Sequence, residues 1–589
     1  MSLHRTLPGR VTLTLATAVL AVPVIFWMAP SAPASVPTAG SAHAAAEPVA
    51  AARPVAAQQA ASLVKAQILA INDFHGHLEP DDLSISTKTG TSKGPGYVAA
   101  GGAAYLAAKV NAAKKANPAS VVVSAGDLIG GSPMISGYYH DESTIEAMNQ
   151  ILDVATVGNH EFDEGTAELR RLVKGGCHPV DGCQDKTGYQ GVKFNLLAAN
   201  VKVKSTGKSL LPPFAIKQVG GAKIGFIGTT TTDTPALVNR NGIKDVTFAN
   251  EAKTIKALVP QVRAAGADAV VVLTHSGAAQ AERSPVNSCK NLVGPAKDLA
   301  SALSGQVDAV ISAHTHQAYI CKVKGVQLTS GASYGRLMTT VKLTIDPNAH
   351  RVTTIAAANS VVGHKITPAK KVAATVARYH KLIAPIANKK VGTLTRTANR
   401  NPSKSGETVL GDLLADAQLR ATKAKSKGGA QIALVAHGLI RTNLEKGKVT
   451  YGEVYATQPF GQRVVTMTLT GKQLDTVLET QFCNPTAVHE DAKVPLAVSK
   501  GFTYSYDPDG RCGHLVRVRD FRLNGKKMTS AKKYRVTVID LFAAGESGFD
   551  VLRKGTNRKT GVLDRDAAAS YLTAHPKLKL PTRTRVTLR

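Results

Sequence analysis

Short apolar runs recur along the chain, and most of them end abruptly at a carboxylate, an amide or an imidazole. AQILAI leads to Asp73, SVVVSAG to Asp127 and VATVG to Asn159 and His160. KIGFIG follows, then DAVVVLTHSG with His275 at its end, and VDAVISAHTH, which closes on His314 and His316. Between the runs lie stretches with helical spacing, among them GGAAYLAAKVNAAKKAN and DESTIEAMNQIL. Near-continuous β-branched runs separated by helices predict an α/β fold whose strands are buried on both faces.

Around Pro368 the character changes. AKKVAATVARYHKLIAPIANKKVG, rich in Lys and Ala, predicts a helix joining two domains over 366–390. A second α/β region follows over 391–589, and no short-period repeat is present. Residues 45–65 are mostly Ala, Pro and Gln and read as a disordered leader.

With 589 residues the chain is too long for one core and fits two domains plus flanking segments. An apolar content of 43% argues against wholesale disorder. Lys and Arg number 72 against 41 Asp and Glu, a net charge of +31. Such a surface attracts phosphates, nucleic acid or an anionic cell envelope, or serves solubility beside one.

At the N-terminus Arg5 and Arg10 precede an apolar run from Val11 to Ala29, after which Pro, Ser and Ala take over. The pattern predicts a secretory signal over 1–44, cleaved near Ala44 at Ala42-His43-Ala44. Cleavage removes Arg5 and Arg10 and leaves +29 (31 minus 2), and it also removes Trp27, the single tryptophan. An uncleaved anchor is the lesser alternative, because Pro23 interrupts the run. No segment of the mature chain is long and apolar enough to span a bilayer, so a secreted, extracellular protein is expected.

Six cysteines lie beyond that signal, and an even number in an exported chain predicts disulfides. The expected pairing is sequential, Cys177–Cys183, Cys289–Cys321 and Cys483–Cys512, since each pair flanks a loop-like insertion. The sequence alone permits fifteen connectivities. Zinc-ribbon spacing is absent.

Asp73, His75, Asp127, Asn159, His160, His275, His314 and His316 all fall just beyond predicted strand ends, the edge where open α/β sheets bind ligands. A lone histidine there is more often a satisfied polar residue. Eight nitrogen and oxygen donors at five such places form a constellation, and donors of this hardness suit Zn, Mn, Fe or Co.

NDFHGH, SAGD, GNHEFD, LTHSG and SAHTH, in this order, resemble the five motifs of the calcineurin-like metallophosphoesterases. Over about residues 66 to 555 the chain resembles the secreted 5′-nucleotidase family, in which that domain precedes a substrate-binding domain. The resemblance implies a four-layer metallophosphoesterase sandwich over 66–365, the joining helix, and a smaller α/β substrate-binding domain over 391–589. It also implies two divalent ions drawn from Zn, Mn, Mg, Co and Fe. Asp73, His75, Asp127 and His316 match the ligands of one; Asp127, Asn159, His275 and His314 match those of the other, so Asp127 bridges. Such a pair clamps a phosphoryl group and lowers the pKa of a bound water. His160 and Asp163 resemble the catalytic dyad, with Asp163 orienting an imidazole that stabilises charge on the phosphoryl or leaving oxygen. His77 matches no ligand and reads as a supporting or solvated residue.

In the second half the same resemblance assigns substrate contacts. Lys404, before GETVLGDLLADA, falls where an arginine is usual, and Arg400 matches a second basic residue. In AHGLIR, Ile440 and Arg441 fit while Ala436, His437 and Leu439 depart, leaving Arg441 to grip phosphate or ribose through its planar fork. QPFGQRVVTMTLTGKQL puts Phe460 at the base-stacking position, with Gln462 in place of Asn. In DLFAAGESGFD, Leu541 stands where a second aromatic is common and Ser547 where an Asp is; Phe542 is one residue out of register. Core packing is the competing reading for both phenylalanines.

The implied function is an exported, metal-dependent 5′-nucleotidase that releases nucleoside and inorganic phosphate. The alternatives keep the metal site and change the substrate: a 2′,3′-cyclic-nucleotide phosphodiesterase with 3′-nucleotidase activity, a nucleotide-sugar hydrolase or a nuclease. A basic envelope-binding protein with a dead hydrolase fold would need neither the ligand set nor the His160/Asp163 pair. The segment from 368 to 391 is expected to let the two domains rotate.

Overall fold

The computed structural model describes residues 63–80, 83–91, 95–483 and 494–589. The expected signal, and the leader as far as residue 62, lie outside them. The leader is shorter than its composition implies, because pairing in the first strand, Val64–Ile71, reaches back to Val64 opposite Ile345.

Val64–Ile71 is central in a six-stranded sheet. On one side the parallel strands Ser120–Ser124, Val154–Thr156 and Asn195–Leu197 follow in order; on the other, Leu337–Asp346 and Arg351–Val361 pair antiparallel. A second six-stranded sheet has the parallel run Ala222–Thr230, Ala269–His275, Ala309–Ile311 and Val326–Gly331 at its centre. Antiparallel strands Phe214–Val219 and Ala318–Val323 close its edges.

The period of two sorts each strand between two cores. Ile68 and Ala70 face the second sheet with Val123, Phe226, Val271 and Leu343, while Leu69 and Ile71 face helices with Leu106, Val110 and Val122. In the second sheet Val270 and Val272 meet the helices Glu251–Ala264 and Pro295–Ala302 through Ile255, Val262 and Leu299. Ala269–His275 is therefore buried at every position, which is why its sequence does not alternate. The result is four layers, helix–sheet–sheet–helix.

The second domain is built on five strands in the order Ala497–Val498, Ile432–Val435, Lys533–Ile539, Arg463–Thr470 and Thr556–Leu563. Helices Val409–Thr422 and Asp564–Ala574 cover one face through Leu410, Leu413 and Leu572, and Gly471–Cys483 covers the other through Leu474 and Leu478.

The joining helix spans Lys370–Ala387 and is fastened to the first domain rather than free. Val372, Tyr379 and Ile383 enter its helical core, and Arg378 Nη1 donates to Asp185 Oδ2 at 2.8 Å. Tyr455 of the second domain, 1% exposed, is buried in the same core. Any rotation between the domains must therefore draw Tyr455 out or carry that core with it. The three disulfides are Cys177–Cys183, Cys289–Cys321 and Cys483–Cys512. Among the described residues no helix is long and apolar enough to cross a membrane.

Candidate metal centre

Five of the donor residues hold a left-handed backbone just past the strand ends: Asp73 (φ 49°), His75 (49°), Asp127 (49°), His314 (75°) and His316 (54°). Asp and His enter this region more readily than most residues, yet each such position still costs on the order of 1 kcal/mol or more. Crossed backbone bonds hold them there. Asp73 N–H donates to Gly126 O at 3.1 Å, His75 N–H to Asp127 O at 3.0 Å and Tyr334 N–H to Asp73 O at 2.7 Å. Each strand end thus sets the conformation of its neighbour.

The side chains converge on one buried floor. Asp73, His75 and His316 present ligand atoms within 4.8 Å of one another, as do Asp127, His275 and His314, and His75, Asp127 and His160 join the two sets. Nε2 of His75 lies 3.1 Å from Nε2 of His316 and 3.6 Å from Asp127 Oδ2. Nε2 of His275 lies 2.9 Å from Asp127 Oδ2 and 3.9 Å from Asp73 Oδ1.

The other ring nitrogens fix the tautomers. His75 Nδ1 donates to Gly130 O at 2.7 Å and His275 Nδ1 to Ala125 O at 2.9 Å, so in the neutral rings both Nε2 lone pairs point inward. Lone pairs that face carboxylates repel them unless a cation lies between. Asn159 Oδ1, from the residue before His160, is buried without a hydrogen-bond partner. These donors fit divalent cations: oxygen and imidazole nitrogen, no thiolate, and one amide oxygen waiting for a partner.

Burial pushes His75 down to about 3 and His314 down to about 4, and holds His316 well below the usual imidazole range, so all three are neutral and ready to ligate. Burial opposes charge on His275 as well, but Asp127 outweighs it and holds that ring up at about 9. Burial also raises Asp73, to about 7. On Asp127 burial works upward, but His275 and His160 overcome it and keep this carboxyl well below its ordinary value. A metal cation would take the place of the protons that this carboxylate–imidazole set otherwise collects.

His160 stands at the rim. Its Nδ1 meets Asp163 Oδ2 at 2.7 Å, and its backbone N–H donates to Asp127 Oδ1 at 2.9 Å. Burial opposes its charge, yet Asp163 and then Asp127 hold it up at about 10. Gly130 (φ +83°) permits the pair, since a Cβ there would lie 2.6 Å from the His160 Cβ.

Three residues at this centre escape a reading of the sequence. Glu161, buried, accepts the N–H groups of Leu128 (2.8 Å) and Gly158 (2.5 Å) as well as that of Asp127. Asn72 donates to Ala332 O at 2.6 Å and accepts from Gly331 N–H at 2.9 Å, tying the end of the first strand to a distant one. Tyr334 (φ 62°) stacks on His77 at 3.9 Å and stands edge-on to His316. GNHEFD contains Glu161 in plain sight, but nothing local marks it as buried. For Tyr334 the sequence carries no signal. His77 bonds through Nδ1 to the His75 carbonyl at 2.9 Å and supports the neighbouring turn.

From the second domain Phe460 reaches this rim. Its ring lies 6.0 Å from that of His160, nearly parallel, and Arg441 stands 5.5 Å over it. A Cβ on Gly131 would meet Phe460 at 2.8 Å, so glycine is required for the approach. Arg400 Nη1 donates to Arg441 O at 3.2 Å, which gathers Arg400, Arg441 and Phe460 at one place. Lys404 is exposed in the turn before Val409–Thr422, and Gln462 is half-buried, its carbonyl accepting from Asp564 N–H at 2.8 Å. Phe542 is elsewhere. It is 3% exposed and packs on Phe549, ring centroids 4.7 Å apart, inside the second domain's core. The expectation that Phe542 faces substrate is corrected on that ground: the short helix Asp540–Ala543 turns both Leu541 and Phe542 inward.

The first domain matches the calcineurin-like phosphoesterase profile over residues 66–318, and the second matches the 5′-nucleotidase C-terminal domain profile over 386–554. The chain is 32% identical over 517 residues to endonuclease YhcR of Bacillus subtilis, covering 86% of this chain and 40% of that protein. To the cell wall protein Lmo0130 of Listeria monocytogenes it is 29% identical over 531 residues, 84% of this chain and 65% of that protein. The chain thus spans less than two thirds of both relatives. Its fold is that of a 5′-nucleotidase precursor from Thermus thermophilus, with a TM-score of 0.66 at 22% identity over 89% of this chain and 99% of the other.

Proposed function

The chain belongs to the 5′-nucleotidase family, a calcineurin-like phosphoesterase domain followed by a 5′-nucleotidase C-terminal domain, and on that premise we propose that it is an exported two-metal phosphohydrolase which removes the 5′-phosphate of nucleotides. The observation that carries this reading is the inward-facing donor set, in which Asp127 Oδ2 lies 3.6 Å from His75 Nε2 and 2.9 Å from His275 Nε2, with Asn159 Oδ1 buried and partnerless.

Asp73, His75, Asp127 and His316 would hold one ion, and Asp127, Asn159, His275 and His314 the other, with Asp127 bridging. Divalent ions bound there supply charge neutralisation at the phosphoryl oxygens and a nucleophile from water near neutral pH. His160, charged at neutral pH, donates to a phosphoryl or leaving oxygen, and Asp163 fixes its ring by taking the Nδ1 proton in a hydrogen bond. Arg441 offers its planar donor fork to phosphate or ribose. Phe460 offers a face to the base once Arg441 shifts.

The inward turn of Phe542 favours a second reading. With no partner aromatic there, a base held by Phe460 alone gains one stack, about 1–3 kcal/mol, and selectivity for the base is weak. A phosphodiesterase acting on cyclic nucleotides, nucleotide sugars or nucleic acid fits the same centre, and one relative is described as an endonuclease. Export is supported by three disulfides and by kinship to a cell wall protein. The signal over 1–44 and the domain limits 66–365, 366–390 and 391–589 belong to this reading.

The test is turnover of 5′-AMP, UMP, 3′-AMP, a cyclic nucleotide, UDP-glucose, bis-p-nitrophenyl phosphate and a short DNA with Mn²⁺, Zn²⁺ or Mg²⁺, products being separated chromatographically. Metal-dependent hydrolysis of 5′-monophosphates that collapses in His160→Ala supports the first reading. Cleavage of diesters alone transfers the function to the second, and no turnover with any metal refutes both.

A further inference from the structure

A two-stranded ribbon runs away from the cleft at Arg400 and Arg441. Arg400 N–H donates to Asn443 Oδ1, Ala398 bridges Leu444, Leu394 pairs with Gly447, Thr393 with Lys448 and Lys390 with Thr450. Its two faces differ sharply. Val391, Leu394, Ala398, Leu444 and Val449 are buried against Leu572 and Leu580, which fixes the register. The outward face is predominantly basic. Residues 389–400 and 441–450 hold seven Lys or Arg and one acid, Glu445, against 72 to 41 in the whole chain. Glu445 is engaged by Thr397 Oγ1 at 2.7 Å.

Lys390, Arg396, Lys446 and Lys448 are exposed. Among the described residues they form no ion pair with a carboxylate. The C-terminal loop adjoins the patch, since Arg396 Nη2 donates to Pro581 O at 3.3 Å. Fully extended, the seven residue steps from Arg441 to Lys448 would reach at most about 23 Å, room for several phosphates of one nucleic-acid strand. No aromatic lies on the outward face, so the recognition available there is of phosphate, not base.

We propose that this ribbon is a docking track for the sugar–phosphate backbone of single-stranded nucleic acid, continuous with a phosphoester seated at the metal centre. The inference rests on the nucleotide reading of that centre. One strand is specified, because a phosphoester seated at the metal centre must pass the rim where the Phe460 ring lies 6.0 Å from that of His160.

The test is fluorescence anisotropy of a labelled, hydrolysis-resistant oligothymidylate with the metal-loaded protein, repeated from about 50 to 200 mM salt. The unaltered protein should bind with a steep salt dependence and no base preference. Arg396→Glu/Lys446→Glu/Lys448→Glu should weaken binding at least tenfold, and the neutral Gln triple variant should flatten the slope of log K against log salt by about 2 for three lost contacts. UMP turnover should be unchanged in both variants. Unchanged oligonucleotide binding in the triple variants overturns the proposal, as does equal binding of a blunt duplex. Loss of oligonucleotide binding in the variants of a protein that does not hydrolyse UMP upholds the track and refutes the nucleotidase reading instead.

Discussion

The Glu161 carboxylate accepts the backbone N–H of Asp127 at 3.1 Å, and with its remaining capacity clamps the N–H groups of Leu128 and Gly158. One side chain thus ties the loop of the proposed bridging ligand to the loop that ends in Asn159. Its effect on the centre is through position, since it touches neither substrate nor ligand side chains. Glu161→Gln replaces one acceptor oxygen with an NH2 group that must face a backbone N–H. Metal affinity should fall about 10–100-fold, the usual cost of losing a group that orients ligands. Metal content after dialysis, read by mass spectrometry, checks this; full retention would sink it.

The dyad gives a second test. Asp163→Asn keeps the shape of the Asp163 side chain and removes the charge that does most to hold His160 up at about 10. Turnover should drop about 100-fold or more with little change in KM. The active form is the imidazolium, so activity is lost as pH rises through the His160 pKa, and the variant should lose it at lower pH than the parent. Identical alkaline limbs in the two kcat/KM profiles would refute this assignment.

The donor residues are legible as a set because each closes an apolar run, and eight nitrogen and oxygen donors at five such places outweigh the ordinary reading of any one of them. Their pairing is not, because His75 and His316 meet across 241 positions of sequence. The left-handed turns at Asp73 and Asp127 are written in no local composition; neighbouring strand ends impose them. The burial of Glu161 has no local signature, because it is a property of two loops meeting. For Phe542 the sequence leaves two readings, substrate and core, because on a four-residue helix one position of register decides whether a ring faces the cleft or the core.

His140 predicts a pH-dependent stability remote from turnover. Its ring, 16% exposed, bonds Glu164 at 3.1 Å and Asp181 at 2.9 Å and stacks on His178 inside the loop closed by Cys177–Cys183. Burial opposes its charge, but the bond to Glu164, then that carboxylate's charge, hold it up at about 9. A pKa above the unfolded value of about 6.5 stabilises fully below that pH and loses its effect as pH rises to about 9. Because both carboxylates are half exposed, the contribution is about 1–2 kcal/mol. His140→Gln should therefore lower the melting temperature near pH 6 and scarcely at all near pH 9.5. An equal loss at both pH values would show that packing, not charge, is responsible.

Phe460 and Phe542 should separate binding from folding. Phe460 is half-buried at the cleft between Arg441 and His160, and its removal leaves no cavity in either core. Phe460→Ala should raise KM for nucleoside 5′-monophosphates by the worth of one stack, about 1–3 kcal/mol or roughly 5–150-fold. It should leave p-nitrophenyl phosphate, which has no base, nearly unaffected. Phe542 fills the second domain beside Phe549, so Phe542→Ala opens a cavity and should cost about 3–5 kcal/mol of stability. The folded fraction of that variant should keep the parent KM. Nucleotide and p-nitrophenyl phosphate kinetics on both variants, with urea unfolding, decide the matter. A KM effect at Phe542 with stability intact would mean that the ring turns out to meet the base, and the two-aromatic sandwich would return.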